Sequence, residues 1–136
     1  MWQAFQVVVH GPTEHGPHLG STLKQALMGH QAQRGDRRRA GQMGPLLGRA
    51  MHQNLKGLPH VVGIRSLGLA AAVELSPSAQ GAGQRGYAVF QECLRRGVLV
   101  RSAGDNLVFA PPFVVEREHI EHMVATLADA IASLPA

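Results

Sequence analysis

Gly97-Val98-Leu99-Val100-Arg101, followed after two residues by Gly104-Asp105-Asn106-Leu107-Val108-Phe109-Ala110-Pro111-Pro112, decides the fold. Val98–Arg101 reads as a short strand and Leu107–Ala110 as its hairpin partner. Gly104-Asp105-Asn106 supplies the tight turn between them. Pro111-Pro112 forbids continuation of either element. Immediately upstream, a helix is predicted over Gln84–Arg96. Tyr87, Phe90 and Leu94 form its expected buried face, Arg95 and Arg96 suit the negative end of its dipole, and Gly97 stops it.

Further out, two more strands and two more helices are predicted. Val61–Ser66 and Leu69–Leu75 read as two apolar strands joined around Gly68, and Pro77–Gly83 as a turn. Before them, Met43, Leu47, Ala50, Met51 and Leu55 fall at helical spacing from about Asp36, with Gly57 as the stop. Pro45, Gly35, Gly41, Gly44 and Gly48 make that helix intrinsically poor, so packing has to hold it. Downstream, a helix over Glu116–Ser133 carries the stripe Ile120, Met123, Val124, Leu127, Ile131 and Leu134. Glu116, Glu118 and Glu121 lie near its positive end, and His119 and His122 are expected to face solvent. The order α-β-β-α-β-β-α predicts an α+β domain, a small mixed or antiparallel sheet with helices packed on one face.

Residues 1–39 set themselves apart from residues 40–136. Ala4–Val9 suits a short strand, Gly11–Gly20 has loop composition, and Ser21–Ala32 is a short helix weakened by Gly29. Charge is skewed in the same direction. Residues 1–65 hold eight Lys and Arg against Glu14 and Asp36, whereas residues 66–136 hold five Arg against seven acids. Such an asymmetry suits a basic arm for an anionic partner.

At 136 residues the chain has room for one domain with a real core. Aromatics are only 4%, so that core is built from Val, Leu, Ile, Met and Ala. No apolar run approaches the ~20 residues of a membrane span, and Met1-Trp2-Gln3 does not open a secretory signal. A single cysteine, Cys93, excludes an internal disulfide framework and points to a reducing, cytoplasmic setting.

Residues 40–136 resemble the C-terminal small domain of class III, pyridoxal-phosphate-dependent aminotransferases of fold type I. The resemblance is nearest to the ω-amino acid:pyruvate (β-alanine:pyruvate) transaminases. It rests on Lys56-Gly57-Leu58-Pro59-His60-Val61-Val62-Gly63-Ile64-Arg65-Ser66-Leu67-Gly68-Leu69, on Ala71–Leu75 with Arg85-Gly86-Tyr87, and above all on the hairpin quoted first with Phe113. It implies transfer of an amino group from an ω-amino acid or amine to pyruvate. It also implies a dimer, a pocket between domains and subunits, and amino-acid and keto-acid substrates. Arg101 is implied to pair with the substrate carboxylate. The chemistry agrees, because a guanidinium meets a carboxylate with two parallel bonds. Read from the residues alone, Arg101 better suits a strand end pairing with Asp105 or with a helix C-terminus.

The same resemblance places the Schiff-base lysine in a large domain preceding this region. The chain's two lysines, Lys24 and Lys56, fall outside that cofactor motif, and Lys56 reads as solvated beside Gly57. Covalent catalysis needs a desolvated amine. The expectation is therefore a domain or fragment that neither binds pyridoxal phosphate covalently nor transaminates by itself, and that does not keep the carboxylate pocket. A separate chain supplying the large domain, or a homodimer, is the partner the resemblance implies. His10, Gly11, Thr13, His15, Gly16 and His18 share letters with the family's His-Gly-Tyr-Thr-Tyr-Ser-Gly-His-Pro run without reproducing it, so Thr13 inherits no role. Residues 1–39 are expected to be a truncated or frame-shifted remnant, which an alternative frame of the encoding DNA tests.

Other signals have plainer readings. His10, His15 and His18 read as a flexible loop, since no cysteine or placed carboxylate completes a metal set. Arg34 with Arg37-Arg38-Arg39 reads as a solvated cluster, and the lack of aromatics between Phe5 and Tyr87 argues against nucleic acid. Cys93 is expected to be a buried packing residue. The alternative to a transaminase domain is a small non-catalytic α+β interaction domain that binds an anionic partner through its basic N-terminal half.

Overall fold

A computed structural model describes residues 30–135 of the chain. Among them the elements run α1 (His30–Leu55), β1 (Val61–Leu67), β2 (Ala70–Leu75), α2 (Gln84–Arg95), β3 (Arg101–Ala103), β4 (Asn106–Phe109) and α3 (Arg117–Ala132). The strands form one antiparallel sheet in the order β1-β2-β4-β3. The α+β architecture follows from strand periodicity. Ala71, Val73 and Leu75 alternate inward along β2, and Leu107 and Phe109 do so along β4. All five are buried.

The helices cover this inner face. α1 lies on β1 and β2, α2 lies on β3 and β4, and α3 packs across both helices. Leu47, Met51 and Leu55 enter the core from α1; Ile120, Met123, Val124, Leu127, Ala130 and Ile131 enter it from α3. Close packing offsets the poor propensity of α1. Gly44 sits so near the β1–β2 turn that a Cβ there would lie 2.6 Å from the Gly68 carbonyl oxygen.

Three expectations change in detail. α1 begins at His30 rather than near Asp36. The third strand starts at Arg101, because Val98 and Val100 are buried beneath the sheet's end and do not pair. On α2 the buried residues are Gly86, Val89 and Cys93, while Tyr87 and Leu94 remain 53% and 52% exposed, with the Tyr87 and Phe90 rings stacked at 6.0 Å. That helix presents its narrower side to the sheet, since the β3–β4 turn lies against Gly86. Arg95 lies in the last turn of α2 and Arg96 caps it, as expected, and both also clamp Glu92, donating to its carboxylate at 2.6 to 2.9 Å. Those bonds hold the Glu92 carboxyl down at about 2.

Cys93 is fully buried, and burial pushes its thiol up to about 12. The sign of its linkage follows. The folded state keeps the proton while the unfolded thiol loses it near 9, so this contribution is complete below pH 9. Between pH 9 and 12 stability is expected to fall by up to about 1.4 kcal/mol per pH unit from this group. Cys93→Ala removes that slope in urea titrations at several pH values; an unchanged slope would assign it elsewhere.

Candidate functional site

The outer face of the sheet is open to solvent, and Arg101 falls on it. The register places Arg101 opposite Val108, Val108 opposite Ala72, and Ala72 opposite Arg65, one row across all four strands. Two arginines thus bracket an apolar floor of Ala72 and Val108, their Cα atoms about 14 Å apart at the usual strand spacing. The floor at the Arg65 end is a shallow hollow of about 220 Å³ lined by Arg65, Leu67, Ala70, Ala72 and Val108. Arg65 is steadied by donating from Nη2 to Asn106 Oδ1 at 2.8 Å. Glu74 is also exposed on this face, one row away, opposite Gly63 and Asn106. A guanidinium is the side chain that meets a planar carboxylate with two parallel bonds.

Arg101 stands on the shortest strand, and two anchors fix that strand. At one end Val98 and Val100 are buried. At the other, the turn to β4 is pinned to the start of α2. The Gly83 N–H donates to Asp105 Oδ2 at 2.7 Å, the Gly86 N–H to Asp105 Oδ1 at 3.0 Å, and the Leu75 N–H to the Asp105 carbonyl at 2.9 Å. Asp105 thereby acts as a helix cap supplied from a distant turn, satisfying donors that α2 leaves open. Each of its carboxylate oxygens accepts one backbone N–H at the start of that helix. Asp105→Ala is expected to cost about 1.5–3 kcal/mol, with Asp105→Asn losing less; urea denaturation reads both. A cost below about 0.5 kcal/mol for the alanine would show the clamp to be idle.

Of the remaining sequence candidates, Lys56 is exposed just past α1. Lys24, Thr13, His10, His15, His18 and the Ala4–Val9 strand lie outside the described residues. An amine that forms a Schiff base has to be desolvated, and Lys56 is not, so the described residues do not fit a covalently held cofactor. Among the described residues no group of His, Cys, Asp and Glu could hold a metal ion, and no helix is long and apolar enough to cross a membrane. His119 differs from expectation: it is half-buried, and its Nδ1 accepts the Glu116 N–H at 3.1 Å, closing the start of α3. Sequence reasoning missed Arg65 and the Asp105 clamp. Period-two alternation along β1 would have put Arg65 on the outer face, but only the register brings it into line with Arg101.

Comparison with known proteins agrees with this architecture. The family model Aminotransferase class-III matches residues 1–131, a range that takes in the basic segment as well as the domain. The Omega-aminotransferase of Caulobacter vibrioides is 41% identical over 78 residues, covering 57% of this chain and 18% of that protein. The mitochondrial Gamma-aminobutyrate transaminase 1 of Oryza sativa subsp. indica is 35% identical over 85 residues, covering 55% of this chain and 16% of that one. The crystal structure of a thermostable omega transaminase 6-fold mutant from Pseudomonas jessenii superimposes with a TM-score of 0.63 at 32% identity, over 68% of this chain and 22% of that chain. The chain therefore spans less than a fifth of the length of these two curated relatives. Because the family model matches residues 1–131, far more than half of its length, the chain belongs to the class III aminotransferases.

Proposed function

We propose that residues 40–136 are the small domain of a transaminase moving an amino group from an ω-amino acid of the β-alanine type, or a related amine, to pyruvate. Pyridoxal phosphate would supply the chemistry, held by a lysine of a large domain. A separate chain or a second copy would complete the site of a dimer working in the cytosol. The observation that carries this reading is the position of Arg101, exposed on the open face at the end of the anchored hairpin. There its guanidinium would grip the substrate carboxylate and orient the amine away from the sheet. The chain by itself is read as a transaminase domain without the transaminase.

Two experiments test this. The purified chain is scanned with pyridoxal phosphate before and after borohydride, followed by intact mass. No aldimine band and no adduct are expected, and a reduced adduct on Lys24 or Lys56 would overturn that part. Separately, residues 40–136 replace the matching part of the Caulobacter vibrioides relative. Arg101→Ala in the chimera is expected to lower kcat/KM for β-alanine by between about tenfold and a hundredfold, while an amine donor without a carboxylate reacts as before. An equal loss for both donors would remove Arg101 from carboxylate recognition.

A further inference from the structure

The solvent face of α1, continued by Lys56 just past its end, carries a line of cations that nothing else described in this chain covers. Arg38, Arg49 and Lys56 recur after 11 and then 7 residues, steps that return close to the same angle on a helix and span about 27 Å. All three are exposed, as are the flanking Arg37, Arg39 and His52, with the neutral Gln42 and Gln53 among them. Ion pairs among the described residues lie on α2 and α3, at Arg95, Arg96 and Arg117, and none engages this line. Asp36 is the one acidic residue in the whole helix sequence. Clustered like charges repel on a helix surface, so an anionic surface laid along them would gain Coulomb energy at every step.

Beside the line runs a mostly apolar groove. Gly41, Gly44, Pro45 and Gly48 form one wall, Ser66 and Gly68 the other, and Arg49 and His52 stand on its rim. The walls meet along the floor at Gly44 and Gly48, where a Cβ would stand 2.6 Å from the Gly68 carbonyl oxygen and 2.9 Å from the Ser66 Oγ, and the groove opens at Gly41, where nothing lies within 4 Å of a Cβ. Phosphate backbones have no use for an apolar trough, and no aromatic between Phe5 and Tyr87 could stack on bases. An amphipathic helix uses both features, apolar side chains in the groove and carboxylates on the cations.

We propose that this face of α1 docks an acidic amphipathic helix of a partner protein. The inference is independent of the transaminase reading, since it uses neither Arg101 nor a cofactor. The probe is a fluorescent peptide of about 18 residues, matching the span of the line, built from Glu, Ala and Leu with its leucines along one face. It is titrated with the full 136-residue chain. Binding is expected at low salt and is lost at about 0.5 M salt. The pair Arg49→Glu and Lys56→Glu should weaken it at least about tenfold, each substitution turning an attraction into a repulsion. Gly41→Leu, which fills the open end of the groove and improves helix propensity, should weaken it about as much without unfolding the chain. A peptide with serine for leucine should bind less tightly than the parent. Absence of binding, duplex DNA binding as tightly as the peptide, or full binding by the Gly41→Leu chain would each overturn the proposal.

Discussion

Gly86→Ala is expected to destabilise the domain by about 2–4 kcal/mol, against the general preference of helices for alanine. Gly86 lies in the first turn of α2, beneath the turn that joins β3 to β4. An alanine Cβ there would stand 2.1 Å from the Gly104 carbonyl oxygen and 2.9 Å from the Asp105 Cα. Both obstacles are backbone, so neither can rotate away as a side-chain tip would. Either the hairpin lifts or the helix retreats. Each movement stretches the bonds from the Gly83 and Gly86 N–H groups to the Asp105 carboxylate. Propensity works the other way by about 1 kcal/mol and does not offset the clash. Gly41→Ala makes the control, because nothing lies within 4 Å of its Cβ. It should stabilise by up to about 1 kcal/mol. Urea titrations of both variants decide the matter: Gly86→Ala as stable as the parent would mean that the hairpin is not seated on α2 as described. The same shift would move Arg101, which rides on that hairpin.

Phe109→Ala should cost more, about 3–5 kcal/mol. Phe109 is 2% exposed and is the largest fully buried side chain of the domain. It stands on the inner face of β4, in a strand paired to β2 with Ala71 opposite, so its removal opens a void against the middle of the sheet. With stability of small domains near 5–15 kcal/mol, the variant would hold only part of its margin. Its urea midpoint should drop without a change in slope. Phe109→Leu, which refills most of the space, should lose less than about 1.5 kcal/mol. A loss under about 1 kcal/mol for the alanine variant would place Phe109 outside the packed core.

Much of this architecture is legible in the chain. The β3–β4 hairpin follows from the Gly104-Asp105-Asn106 turn and the apolar run after it, and the two prolines end it, although β3 itself is displaced to Arg101–Ala103. α3 follows from an apolar stripe at positions 120, 123, 124, 127 and 131, all buried. Reading the burial of Cys93 needs only its helical setting. The α2 face is different. Two apolar stripes overlap there, and weighing bulk favours Tyr87, Phe90 and Leu94, whereas the helix buries Val89 and Cys93. Bulk is a poor guide where the helix must approach a backbone turn. The approach requires the glycine side, so Tyr87 and Leu94 stay exposed while Phe90 packs partly against the core.

Local rules thus determined the order of elements, the α+β class and the family resemblance, because periodicity, turn chemistry and chain-breaking residues act over a few neighbours and are written directly in the sequence. The tertiary structure decided which side of α2 is buried, that Asp105 caps a helix 19 residues before it, and that Arg65 and Arg101 share one row across the sheet. These depend on register and on the distance between two backbones. Both are set by how all the elements close over a common core, and no short stretch of chain carries them.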